Sequence, residues 1–186
     1  MNYVLTRENV AHQLAAIRSR VQALTIGLDE AALNWQPAGG RQWSIAQCLH
    51  HLALTTEFYS QALDVAIDAA PQVTLDAPAR PNLLGRVLIW AIEPPVRIGV
   101  SARAELMPPS RHVPDVLLRQ YDASLDRLAA LVERTLRIDA GRTRYANPLA
   151  GGVKSFNVVT GVMVMLAHNR RHLVQAERVR TLRSPM

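Results

Sequence analysis

Apolar side chains recur at steps of three and four along much of this chain, the period that places them on one face of a helix. The first row is Val10, Leu14, Ile17, Val21, Leu24 and Leu28, with Thr6 as its expected N-cap. Residues 34–42, with Pro37, Gly39 and Gly40, break the pattern as a loop. A second row, Ile45, Leu49, Leu52, Tyr59, Leu63 and Ile67, opens on Ser44 and Gln47. Those two residues have the spacing of a capping box, in which each side chain satisfies the other's free backbone N–H. This helix is expected to run to about Ala69, before Pro71. A third helix is predicted from Pro114, a favoured first-turn residue, through Leu117, Tyr121, Leu125, Leu128 and Leu131 to about Leu136. After a loop over 139–154, a fourth is predicted from about Ser155 to Arg183, with Val159, Val162, Met165 and Leu166 on its apolar side. No strand alternation is evident.

The pattern predicts an all-α chain forming one domain over residues 1–186: a four-helix bundle with a long crossover connection between helices two and three. That connection, residues 71–112, is rich in proline and holds one short predicted helix at 83–92. A connection of such length usually covers a site or joins distant helix ends.

With 186 residues, 49% hydrophobic and 19% charged, the chain can bury a real core and is not of the disordered class. The most apolar stretch, 83–100, is interrupted by Arg86, Glu93, Pro94, Pro95 and Arg97, so no membrane span is expected. Residues 1–8 have no apolar run of the signal-peptide kind, and the expected location is the cytoplasm. A single cysteine, Cys48, excludes an internal disulfide. The net charge of +6 is almost wholly arginine, densest at Arg170, Arg171, Arg178, Arg180 and Arg183. An arginine-mediated nucleic-acid contact is one reading. Solvated helix faces with intramolecular ion pairs is the favoured one, since no recognition motif accompanies the arginines.

The informative spacing for chemistry is His168-Asn169-Arg170-Arg171-His172. Residues four apart on a helix stand one above the other, and two imidazoles so placed can reach a single ion at about 2.0–2.1 Å. Both lie on the stripe Gly161, Met165, His168, His172, Ala176, beside the apolar positions, whereas Arg170 and Arg171 are expected to point elsewhere. The alternative is a pair of histidines partly exposed or hydrogen-bonded to carbonyls or carboxylates. A third ligand would come from another helix, and His51, two turns after the Ser44 cap, is the natural candidate. His50 points about 100° away, so only one of the two can face inward. Cys48, one turn before His51, is a fourth ligand, a nearby thiol or a small core residue, the last being the commonest use of a buried cysteine.

Trp43-Ser44-Ile45-Ala46-Gln47-Cys48-Leu49-His50-His51-Leu52 resembles the W-S-I-x-x-x-L-x-H-L motif of the DinB-like (DinB/YfiT) superfamily. His168-Asn169-Arg170-Arg171-His172-Leu173-Val174-Gln175 resembles its H-x-x-R-H-x-x-Q motif, Trp35 to Gly40 its W-x-P-x-G loop, and Pro108-Pro109-Ser110 an element common before its third helix. The resemblance implies a four-helix bundle with a divalent metal ion held by His51, His168 and His172, the metal being zinc, nickel, iron or manganese in different relatives. It does not imply DNA polymerase or repair chemistry. It leaves Arg171 and Gln175 as motif positions without a ligand role, and Arg171 is expected in a structural ion pair.

Three imidazoles leave a coordination position open, as catalytic sites do. The resemblance then implies a metal-dependent enzyme on a small molecule, a hydrolase or a thiol S-transferase using a low-molecular-weight thiol such as bacillithiol, mycothiol or glutathione. The alternatives are a non-catalytic metal-binding module, as a homodimer through a bundle face or alone, and the nucleic-acid binder. The proton handler is not evident: Asn169 stands where the H-E-x-x-H metalloproteases carry their glutamate. Glu57 and Glu177 fall off the ligand face and read as surface charges. Tyr59, two turns after His51, is a core residue or a hydrogen-bond donor to the pocket.

Overall fold

The computed structural model describes residues 3–73, 78–95, 97, 99 and 102–183, and it is mostly helical. Positions 1, 2, 74–77, 96, 98, 100, 101 and 184–186, which include parts of the 71–112 connection and of the apolar stretch 83–100, lie outside the described residues.

Helix α1, Arg7–Thr25, starts where Thr6 Oγ1 accepts the backbone N–H of Asn9 at 3.2 Å. It ends earlier than its apolar row suggested: Gly27, at φ 73°, turns the chain, and Asp29 caps a separate short helix α2, Glu30–Asn34. A single turn, α3 (Pro37–Gly40), has left-handed backbone at Ala38 and Gly39. Helix α4, Ile45–Asp68, opens on the expected capping box. Ser44 Oγ accepts from Gln47 N and Gln47 Oε1 from Ser44 N, both at 3.0 Å. Helix α5, Leu83–Ile92, matches the short helix predicted inside the connection, and α6, Pro114–Thr135, has proline at its first position as expected.

The last helix, α7, spans Val158–Arg183 and begins three residues later than predicted. Residues 155–157 are diverted because Phe156–Asn157 (β2) pairs antiparallel with Arg144–Tyr145 (β1). A ladder of two residues per strand is too short to leave an alternation in the sequence.

Among the long helices, α4 packs on α6 and α7, and α1 packs on the same two; α5 lies on α7. Their buried rows merge into one apolar core that includes Ile17, Leu49, Leu63, Leu125, Val162 and Leu166. Each fully buried side chain of this size contributes roughly 1.5–3 kcal/mol. Several arginines lace the helices together through intramolecular ion pairs of the kind the favoured reading of the charge expected. Arg7 pairs with Glu133, Arg18 with Asp122 and Asp126, Arg20 with Glu177, and Arg127 and Arg134 with Asp64. Exposed pairs of this kind are worth about 0–1 kcal/mol each. Arg180 instead donates to the carbonyls of Ala23 and Leu24, at the C-terminal end of α1, where a cation is favoured.

The start of α5 is stitched to the start of α7. Asn82 caps α5 by accepting from Gly85 N at 3.0 Å, and Asn157 caps α7 by accepting from Thr160 N at 3.0 Å and Thr160 Oγ1 at 2.7 Å. Asn82 N donates in turn to Asn157 Oδ1 at 3.3 Å. The approach is so close that a Cβ at Gly85 would fall 2.1 Å from Thr160 Oγ1, which is why glycine stands there. This joint fixes α5 beside the stretch of α7 that carries the histidines. The other side of α5 shows Leu83, Leu84, Val87 and Trp90 to solvent, each more than half exposed.

Candidate metal centre

His51 comes from the second turn of α4, and His168 and His172 from successive turns of α7, which packs on α4. Their candidate ligand nitrogens all lie within 4.8 Å of one another, and no other described residue joins a group of this kind. The three rings named from the sequence therefore converge on one point, with ring centroids 4.5–5.1 Å apart.

Each ring is held by neighbours. His51 Nδ1 donates to the carbonyl of Leu106 at 2.8 Å, so its hydrogen sits on Nδ1 and Nε2 carries a lone pair. Thr55 Oγ1 is 3.5 Å from that Nε2 but donates its only hydrogen to the His51 carbonyl at 2.7 Å. His51 Nε2 is thus a buried acceptor without a donor. His172 Nδ1 donates to Gln175 Oε1 at 2.8 Å, which leaves its Nε2 facing His168 Nε2 at 3.0 Å. Two nitrogens bound to one tetrahedral ion at about 2.0–2.1 Å would be about 3.3 Å apart. The donor set and its spacing fit a divalent ion, and hydrogen bonds from the far ring nitrogens are the usual support of such ligands. Trp43, the residue before the α4 cap, packs against two of the rings, 4.8 Å from His51 and 5.8 Å from His172.

Burial drives all three imidazoles toward the neutral state that a metal requires. It lowers the pKa of His51, against the opposing Leu106 hydrogen bond. Burial, then the neighbouring His172, His51 and Arg171, pushes His168 well below the ordinary value. For His172 the same forces, burial first, bring the pKa to about 3. A depressed folded-state pKa means that the unfolded chain binds more protons once the pH drops below about 6.5. Stability is then complete above that pH and lost as the pH falls toward about 3. In chelator-treated protein the urea midpoint is expected to be lower at pH 5 than at pH 7.5, and His172→Gln is expected to flatten that dependence. A midpoint that rises on acidification would contradict the buried neutral cluster.

The cluster opens into a pocket of about 1110 Å³. Its walls include Leu88 and Ile92 of α5, Leu106, Phe156, Val164 and Met165, and its charged residues among those described are Arg41, Arg103, Arg171 and Arg178, with no carboxylate. Tyr59 also reaches this wall while being buried. Its hydroxyl lies 3.4 Å from Asn147 Oδ1, and burial pushes its pKa up to about 12, so it is a protonated donor. Cys48 is wholly buried and outside the ligand group, its thiol pushed up to about 12 by burial. His50 turns away from the cluster and sets its ring 4.6 Å from that of His112.

Arg171 corrects the sequence reading. Among the described residues it makes no ion pair, and it lines the pocket beside the histidines. The pair belongs to Arg170, whose guanidinium grips both oxygens of Glu93 at 2.5 and 2.8 Å. Asn169, in the position of the metalloprotease glutamate, is structural: it accepts from Tyr121 Oη at 2.7 Å and donates to Met165 O at 2.9 Å. Glu177 is bound to Arg20, and Glu57 is exposed near Arg127. Sequence reasoning assigned no role to Trp43, or to Gln175 as the partner of His172. The spacing of Gln175, three residues after His172, was a usable signal for the second of these.

Helices carrying three inward imidazoles beside a large pocket define a class of mostly helical proteins with a candidate tri-histidine metal centre. The family comparison makes the assignment: the DinB superfamily model matches residues 13–176, and the chain belongs to that superfamily. No curated protein and no solved structure matched the chain. Among the described residues no helix is long and apolar enough to cross a membrane.

Proposed function

We propose that this chain is a metal-dependent enzyme acting on a small molecule, of the thiol S-transferase or hydrolase type, with one divalent ion held by His51, His168 and His172. The carrying observation is the convergence of their ring nitrogens at the wall of a 1110 Å³ pocket. Once bound, such an ion acidifies the water or thiol that completes its coordination. The chain's own residues do the rest. Leu106 and Gln175 hold the ring orientations, Trp43 packs the imidazoles, and the apolar wall keeps water from the substrate. Tyr59 Oη, whose one hydrogen points to Asn147 Oδ1 at 3.4 Å, can turn it toward a substrate within the pocket. In this reading α1, α4, α6 and α7 are the four-helix bundle of a single-domain cytoplasmic protein, and the connection from α4 to α6 is its long crossover.

The test is the metal content of protein purified without a chelating tag. About one zinc, nickel, iron or manganese per chain is expected, falling to near zero in His51→Ala. A metal-free native chain that takes up none of these ions sinks the reading.

The outward row of Leu83, Leu84, Val87 and Trp90 favours a second reading, a metal-binding module that works as a homodimer through α5. It predicts a dimer by light scattering that Trp90→Glu converts to monomer. A native monomer at all concentrations removes it.

A further inference from the structure

The feature that the metal reading leaves unused is the guanidinium of Arg171. It is half-buried, its charge is disfavoured by burial, and among the described residues no carboxylate or carbonyl answers it. Burying an arginine without a partner is costly, and this chain pairs its other buried arginine, Arg170, with both oxygens of Glu93. Arg171 is also close enough to the cluster for its charge to act on His168 and His172. The pocket has no acidic side chain among its described residues, while Arg178 stands two turns further along α7. The arginines of such a cavity, with no carboxylate among the described lining to answer them, suit an anionic group. One planar fork suits one carboxylate, bound through two parallel hydrogen bonds. The rest of the wall, with Leu88, Ile92, Leu106 and Phe156, calls for an apolar body.

We propose that Arg171 anchors the carboxylate of an amphipathic substrate, whose apolar body lies along α5 and Phe156 and whose reacting end faces the three imidazoles. The placement of the reacting end rests on the enzyme reading above; the anchor itself does not. The donor is a permanent cation with free N–H groups, so the anchor works in metal-free protein, and it selects carboxylates over neutral isosteres of the same length.

The test uses octanoate and octanamide as probes, titrated calorimetrically into chelator-treated and metal-supplemented protein. Octanoate is expected to bind chelator-treated protein about tenfold or more tightly than octanamide, the usual worth of a hydrogen-bonded charge. Arg171→Gln is expected to abolish that preference, and Arg171→Lys to retain part of it. Arg171 has no partner within the described chain, so Arg171→Gln should have an unfolding temperature equal to or above that of the native protein, which excludes misfolding as the cause. Equal binding of the two probes overturns the proposal. So does an octanoate preference that survives Arg171→Gln or exists only in metal-supplemented protein, since the metal would then be the anchor. A preference that Arg171→Gln abolishes, in a chain that takes up no metal, supports the anchor and refutes the metal reading alone.

Discussion

Saturating zinc or nickel is expected to raise the unfolding temperature of the metal-free protein by roughly 8–16 °C. The figure follows from linkage: a ligand at about a thousand times its dissociation constant stabilises by about 4 kcal/mol, and a chain of this size shifts roughly 2–4 °C per kcal/mol. The rings are already neutral and already oriented by Leu106 and Gln175, so little ordering opposes binding. His51→Ala and His172→Ala are both expected to abolish the shift, because each leaves two nitrogens where three converge. His50→Ala is the control and should keep it, its ring being turned to His112. Scanning fluorimetry with and without metal reads all four proteins. An undiminished shift in both ligand variants would place the metal elsewhere.

The second large effect concerns Arg170 and Glu93. Glu93 is only 7% exposed, and its carboxylate is gripped through both oxygens by Arg170, which also donates to Gln13 Oε1 at 2.6 Å. Glu93 follows the last residue of α5, so this pair pins the far end of α5 to α7 and, through Gln13, to α1. Removing one partner strands the other as a buried charge, at a cost of about 3–5 kcal/mol. Glu93→Ala is therefore expected to lower the unfolding temperature by roughly 6–20 °C. The double variant Glu93→Ala/Arg170→Ala should lose less than the two single losses added together, because no charge is then left alone. Strict additivity in denaturant titrations would show that the pair is not coupled.

The long helices could be read directly because their signals are local. Ser44 and Gln47 announce a capping box within four residues, and Pro114 announces a helix start by itself. The convergence of the histidines was legible for a related reason: four-residue spacing puts His168 and His172 on one stripe, and His51 sits on the flank of the apolar face of α4. What stayed hidden depends on residues far away in the chain. Arg170 and Arg171 are adjacent and chemically identical, and only the position of Glu93, 77 residues upstream, decides which of them is neutralised. The same holds for the pocket wall, since Leu88 and Ile92 face it only because Asn82, Asn157 and Thr160 lock two helix starts together. The β1–β2 ladder, with two residues per strand, leaves no periodic trace to find.

One contact joins the connection to the candidate ligands. The carbonyl of Leu106 decides which nitrogen of His51 bears the hydrogen, and it belongs to a three-residue turn, Ala104–Leu106, rather than to a long helix. Without that carbonyl neither tautomer of His51 would be selected, and its lone pair would have no fixed direction. In the proposed centre, a backbone carbonyl 55 positions beyond His51 in the sequence would thus choose which of its nitrogens faces the ion.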